Sequence, residues 1–107
     1  MISDDMRAMQ TSQSSLVTAS IGVADTAFLS ADANRISIII SAPSTNRCTI
    51  NFEGAAVLDQ GITLYPGGPP LSLNLTQHGG IVKKQCRAIS PIAANQMTAA
   101  LVTATLS

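Results

Sequence analysis

At 107 residues the chain holds enough material for one modest core and leaves no room for a second domain. Only 11% of its residues are charged, six bases against six acids, for a net charge of zero, which excludes the basic stripe of a nucleic-acid binder. Hydrophobic residues make up 46% of the chain while aromatics reach 3% and Trp is absent, so the core is expected to be built from Ile, Leu, Val and Ala.

The first residues, MISDDMRAMQ, place Ser3 as a cap before Asp4 and Asp5, with Met6 and Met9 three apart, and the polar run QTSQSS follows. Residues 1–15 therefore read as an N-terminal arm or short helix, too short to be stable alone. It either docks on a neighbour through Met1, Ile2, Met6 and Met9 or stays mobile, and Met suits the docking version because it adapts to irregular surfaces. Two acids and no long apolar stretch at this end predict no export signal, and hence a protein made in a cytoplasm with its thiols reduced. Every apolar cluster is interrupted well short of the roughly 18 residues of a membrane-spanning helix, so a soluble chain with no membrane partner is expected.

From residue 16 to 107 the pattern has period two, which in a strand sends alternate side chains to one face. Val17, Ala19, Ile21 and Val23 alternate with small or polar residues. In RISIIIS, Ile36, Ile38 and Ile40 share a face opposite Ser37, Ile39 and Ser41, and after the loop APSTN, Cys48, Ile50 and Phe52 alternate with Arg47, Thr49 and Asn51. That pair is expected to form a hairpin. Shorter strands are expected at 27–30, 62–65 and 85–90. The run PGGPP at 66–70 is a turn, because Gly supplies positive φ while Pro fixes φ and cannot donate to a ladder. Leu71, Leu73 and Leu75 resume the alternation, Gly79 and Gly80 break it before a strand IVKKQC, and the last segment alternates Ala100, Val102, Ala104 and Leu106 with Leu101, Thr103 and Thr105. The fold class is all-β, an antiparallel sandwich or barrel of about seven to eight short strands over residues 16–107, preceded by the arm.

Chemistry has little material here. His78 is the only histidine and Glu53 the only glutamate, and His78 sits in the turn TQHGG, where exposure or a backbone hydrogen bond is its ordinary role. Two cysteines with 37 positions between them do not have zinc-site spacing; each falls among apolar neighbours, as a buried thiol, a cross-strand disulfide partner or, last, a nucleophile. Asp25, Asp32 and Asp59 lie in or before turns, and no glycine-rich loop would cradle a phosphate. No enzyme activity, metal or cofactor is expected. Charge is asymmetric, acids leading in the first third and Lys83, Lys84, Arg87, Arg35 and Arg47 giving the body a basic excess that could orient contacts between copies.

The shortage of charge points further. Sandwich faces open to water normally carry Lys and Glu; here they carry Ser, Thr, Ala and Asn with apolar intruders, Ile39 and Leu101, placed on the outer side together with Thr103. Such faces, and edge strands without charged guards, predict a homo-oligomer.

Finally, NRISIII, INFEG, GITLYPG and CRAIS followed by a closing alternating strand resemble small bacteriophage virion proteins of the cement, head-fibre or tail-accessory kind, through residues 35–40, 50–54, 61–67 and 88–89. Glu53 between Phe and Gly, and the absence of an aromatic after the turn, depart from that pattern. The resemblance implies a non-enzymatic protein of the virion that oligomerises, with a trimer favoured, and binds an assembled capsid or another virion protein as a cement. A carbohydrate- or receptor-binding module of a tail or head fibre, using the loop around Tyr65 and His78, is the alternative.

Overall fold

The computed structural model describes residues 10–106, and the backbone alone at 10–12, 105 and 106. The arm contacts expected of Met1, Ile2, Met6 and Met9 lie outside the described residues. Eight strands form: β1 (Gln10–Ile21), β2 (Thr26–Leu29), β3 (Arg35–Ile40), β4 (Cys48–Phe52), β5 (Ile62–Leu64), β6 (Leu71–Asn74), β7 (Cys86–Ile89) and β8 (Asn95–Leu106). They make two antiparallel four-stranded sheets, in the order β1-β8-β3-β6 in the first and β2-β7-β4-β5 in the second. The molecule is an antiparallel β-sandwich, as the period-two pattern requires.

The core fills the space between the sheets. The first contributes Ile21, Ile38, Ile40, Leu73, Met97, Ala99 and Leu101, and the second Phe28, Leu29, Cys48, Ile50, Leu64, Cys86 and Ala88. With Phe28 the one aromatic among them, these side chains interdigitate at the ~10 Å spacing of packed sheets. The first sheet is longer than the second because β1 and β8 pair over twelve residues, from Gln10↔Leu106 to Ile21↔Asn95, whereas β3 covers only Arg35↔Thr103 to Ile40↔Ala99. At about 3.3 Å per residue such a ribbon spans ~40 Å, which accounts for most of the 49 Å long axis. The run QTSQSS, read above as the tail of the arm, is thus paired strand from Gln10 onward.

Three expectations are corrected. The segments 35–40 and 48–52 are not a hairpin, for β3 belongs to one sheet and β4 to the other. The loop between them crosses the sandwich, and the fully buried Asn95 holds it. The Asn95 Oδ1 accepts from the Thr45 and Asn46 backbone N–H groups at 3.0 and 3.3 Å, while Nδ2 donates to the Asn46 carbonyl at 2.6 Å and the Ser90 Oγ at 3.1 Å. A buried amide that uses both ends in this way makes the crossing specific.

Second, IVKKQC is not a strand. Helix α1 (Leu75–His78) leads into a 3-10 turn (Gly79–Lys83) that takes up the first three residues of that stretch, and the strand starts only at Cys86. Asn74 starts α1, its Oδ1 accepting from Gln77 N–H at 2.8 Å, and Gly79 at φ 70° ends it. Local capping there outcompetes alternation.

Third, β8 has the opposite phase. Leu101 is inward, 8% exposed, and Ala100 and Val102 are on the outer side. Thr103 shares the side of Leu101 by the pleat and is half-buried. Both alternating sets of β8 are apolar, so periodicity alone is ambiguous. Pairing of Leu101 with Ile38, and the greater apolar area that Met97 and Leu101 bury compared with alanine, set the phase.

The YPGG turn forms as its residues predict. Pro66 precedes Gly67 at φ 75°, and Gly68 N–H donates to the Tyr65 carbonyl at 2.9 Å, the arrangement of a type II turn. It carries the chain from β5 in the second sheet to β6 in the first, answering the demand for a tight connection at the end of the sandwich.

Candidate functional site

The distribution of charge separates the two sheets. The ion pairs Arg47–Asp59, Lys84–Glu53 and Arg87–Asp25 all flank or lie on strands of the second sheet. In the first sheet, the twelve residues of β1 and of β8 and all of β6 contain no Asp, Glu, Lys or Arg, and Arg35 in β3, 2% exposed, points away from solvent. The outer face of the first sheet is therefore uncharged.

Register lays out that face. One row runs Leu16–Ala100–Ile39–Ser72 across β1, β8, β3 and β6, and the next runs Ser14–Val102–Ser37–Asn74. Leu16 is 75% exposed and Ile39 42% exposed, and a shallow groove lies beside Leu16 over Ser14, Ser15 and Ala100. Ile39 thus lies on the outer side, as its alternation in RISIIIS predicts. Leu16 and Val102 were missed. The signal for Leu16 was present, an apolar residue among the polar set of an otherwise alternating strand. β1 is also an edge strand of twelve residues without Lys, Pro or acid, so among the described residues one row of its backbone groups has no ladder partner. Edges of this length are normally guarded by charge or a bulge.

The charged residues are spent within the chain. Arg47 makes a two-pronged contact with Asp59, Nε to Oδ1 at 2.6 Å and Nη2 to Oδ2 at 2.8 Å, which holds the Asp59 carboxyl below its usual range. The Asp25 carboxyl is likewise lowered, first by the Ala56 N–H at 2.9 Å and further by Arg87, against burial. Lys83 Nζ donates to the Ala33 carbonyl at 2.7 Å. The basic excess read from the sequence is largely matched by local acids and carbonyls, which leaves little of it to orient a second copy.

Arg35 is the exception in kind. Its guanidinium donates from Nε to the Val82 carbonyl at 2.6 Å, from Nη1 to Ser30 at 2.9 Å and from Nη2 to Lys84 at 2.6 Å. Burial lowers its pKa while Asp32 and Cys86 oppose that shift, and the group stays charged because a guanidinium starts so high. It is a cation solvated by backbone carbonyls, joining β3 to the end of β2 and to the 3-10 turn.

The candidate chemical groups stay apart. The His78 Nδ1 accepts from the Asn74 N–H at 3.0 Å, a turn-stabilising contact on an exposed side chain. Cys48 and Cys86 are buried and unbonded to each other. Burial raises both thiols, Cys86 up to about 12 despite the neighbouring Arg35. Thiolate is the reactive form, so neither is set up as a nucleophile. A thiol reagent at pH 8 is accordingly expected to label neither cysteine in the folded protein within minutes and both on addition of denaturant; rapid native labelling would show the core opening locally. Among the described residues no three His, Cys, Asp or Glu converge as metal ligands, and no helix is long and apolar enough to cross a membrane. Neither described cavity is lined by Tyr65 or His78.

No family model matches the chain, and comparison with curated proteins finds no match. Among solved structures it is similar in fold to a protein from work titled "Bacillus endospore appendages form a novel family of disulfide-linked pili", at a TM-score of 0.58 and 11% identity over 92% of this chain and 90% of that one. At that identity the likeness is one of fold: a small sandwich that in that case belongs to a pilus.

Proposed function

We propose that this protein is a non-enzymatic structural subunit that associates with copies of itself to build or coat a larger assembly. The observation that carries the reading is the sheet β1-β8-β3-β6, whose outer face and twelve-residue edge hold no charge while the other sheet carries the ion pairs. An uncharged face costs little to desolvate and has no charge pattern to present to a charged partner, so a like surface suits it. An unguarded edge offers main-chain hydrogen bonds to a neighbouring strand. The fold likeness to a pilus protein favours a fibre over the capsid cement expected from the phage resemblance; in a cement role the same surfaces would bind a shell of another protein.

Unlike an assembly linked by disulfides, this one is held without covalent bonds. The chain has two cysteines, both in the core. Reducing agent is therefore expected to leave the assemblies intact.

Light scattering across a concentration series, with and without dithiothreitol, tests the reading. The expected result is a mass that rises with concentration beyond that of one 11.0 kDa chain, identically in both buffers. Replacing Leu16 and Ile39 together by Lys is expected to return the mass to that of the monomer with the circular dichroism spectrum unchanged. A wild-type monomer at all concentrations would sink the proposal.

A further inference from the structure

The connection between β4 and β5, residues 53–61, lies back over the outer side of the second sheet. Alternation in β4 puts Thr49 on that side, opposite the core residues Cys48 and Ile50, yet Thr49 is 0% exposed. The cover is this connection: the Asp59 N–H donates to the Thr49 Oγ1 at 2.8 Å, and Ala56 is buried beneath the segment. Apolar burial holds it only weakly, because Val57 is exposed and Leu58 half-buried. Polar anchors hold it instead. The Ala55 carbonyl accepts from the Asn51 Nδ2 at 3.0 Å, the Ala56 N–H donates to the Asp25 Oδ1 at 2.9 Å, and Asp59 makes its two-pronged contact with Arg47. Glu53 at φ 74° and Asp59 at φ 62° place non-glycine residues in the left-handed region near each end, so the closed backbone is strained.

We propose that residues 53–61 form a strap that acid releases as a unit, uncovering the outer side of β4 while the sandwich stays folded. Two of the anchors are carboxylates, Asp25 from the loop between β1 and β2 and Asp59 of the strap itself. Among the described residues, Arg87 of β7 faces Asp25, and Arg47, which Tyr65 adjoins, faces Asp59; at the start of the strap Glu53 pairs with Lys84 at 3.3 Å. Both aspartates titrate below the ordinary value of about 3.9. A carboxyl lowered in the folded state contributes stability that is complete above that ordinary value and is lost as the pH falls through its folded value. Acid therefore removes the charge from two anchors and leaves the strained backbone to Thr49 and Asn51. The ladders of β4 with β5 and β7 are made by backbone groups that do not titrate, and the core cluster holds no carboxyl, so both persist. Closed, the strap denies this side of the second sheet to a partner; the inference goes beyond the self-association above and does not rest on it.

Hydrogen exchange of the full chain, read residue by residue from about pH 6 to about pH 2.5, tests the strap. The amides of Ala56, Asp59 and Gln60, the last bonded within the strap to the Val57 carbonyl, are expected to lose protection together by about 10-fold or more below pH ~3.5. Ile38, Ile50 and Ala88 in the ladders are expected to hold theirs within about 2-fold. Asp25→Asn combined with Asp59→Asn removes both charges, and Asn tolerates the left-handed φ, so this double variant is expected to show the same faster exchange already at about pH 6. Glu53→Gln, which removes an exposed charge outside the two anchors, is expected to change the three amides by less than about 2-fold. Loss at Ile50 and Ala88 in step with Ala56 would overturn the strap as a separate unit, and Gln60 keeping its protection while Ala56 loses it would overturn release as a unit. Ala56 protection unmoved by acid, or by the double variant, would overturn the carboxylates as the latch; should the double variant fail to fold, the acid series on the wild-type chain decides.

Discussion

Replacing Arg35 by alanine is expected to cost about 3–5 kcal/mol, most or all of the stability of a domain this small. The side chain is 2% exposed and donates to the carbonyls of Ser30, Val82 and Lys84, which lie just past the end of β2, in the 3-10 turn and before β7. Removing it leaves three carbonyls facing a void that water fills poorly, each orphan costing roughly 1–3 kcal/mol before relaxation. Arg35→Lys keeps the charge but replaces a fork with a point, so at least one carbonyl stays unpaired and the expected loss is about 2 kcal/mol or more. Arg35→Met removes the charge and its desolvation cost together with the hydrogen bonds, and is expected to fall between the two. Guanidinium denaturation at pH 7 reads the series from midpoints at constant slope. A loss under about 1 kcal/mol for the alanine variant would mean that the β2 end and the 3-10 turn close over the site by themselves.

The adjacent residues Leu101 and Val102 are expected to behave as opposites when each is changed to Lys. Leu101→Lys forces an ammonium among Val17, Ile38 and Phe28, beside the buried Arg35 cation, and is expected to abolish a stable fold, a loss of about 4 kcal/mol or more. Val102→Lys points into solvent beside Ser14 and Ser37 and is expected to change stability by about 0.5 kcal/mol or less while weakening association. Thermal melts and light scattering on the two purified variants separate the outcomes. Loss of association with an intact fold in Leu101→Lys, and unfolding in Val102→Lys, would show that the face assignment of β8 is reversed.

That pair of residues also marks where sequence reading reaches its limit. In β3 the phase was legible over most of the strand, because Ile38 and Ile40 face inward and Ile39 is the exposed apolar residue; Ile36, expected with them, stays outside the core cluster, because a register shift between Arg35 and Ser37 buries Arg35 instead. In β8 it was not. Ala100 and Val102 compete with Leu101 on equal terms until a neighbour is known, and the neighbour is β3, some sixty positions earlier. The same holds for Arg35. As the first residue of an Ile-rich strand it looks like a surface base, and nothing nearby in sequence announces that carbonyls 47 and 49 positions later surround it.

The sequence by itself determined the class of the molecule and its punctuation. Period-two alternation, a low charge content and the Pro-Gly turn at Tyr65–Gly68 act within a few residues, through φ preferences and side-chain direction, and so can be read locally. The tertiary structure alone decided which strands share a sheet, that β3 and β4 part company across the sandwich, which side of β8 meets the core, and that among the described residues the ion pairs flank one sheet while the other presents an uncharged face. Those are non-local choices: each depends on which distant strand completes a ladder and on where the most apolar area can be buried, and β-propensity says nothing about partners.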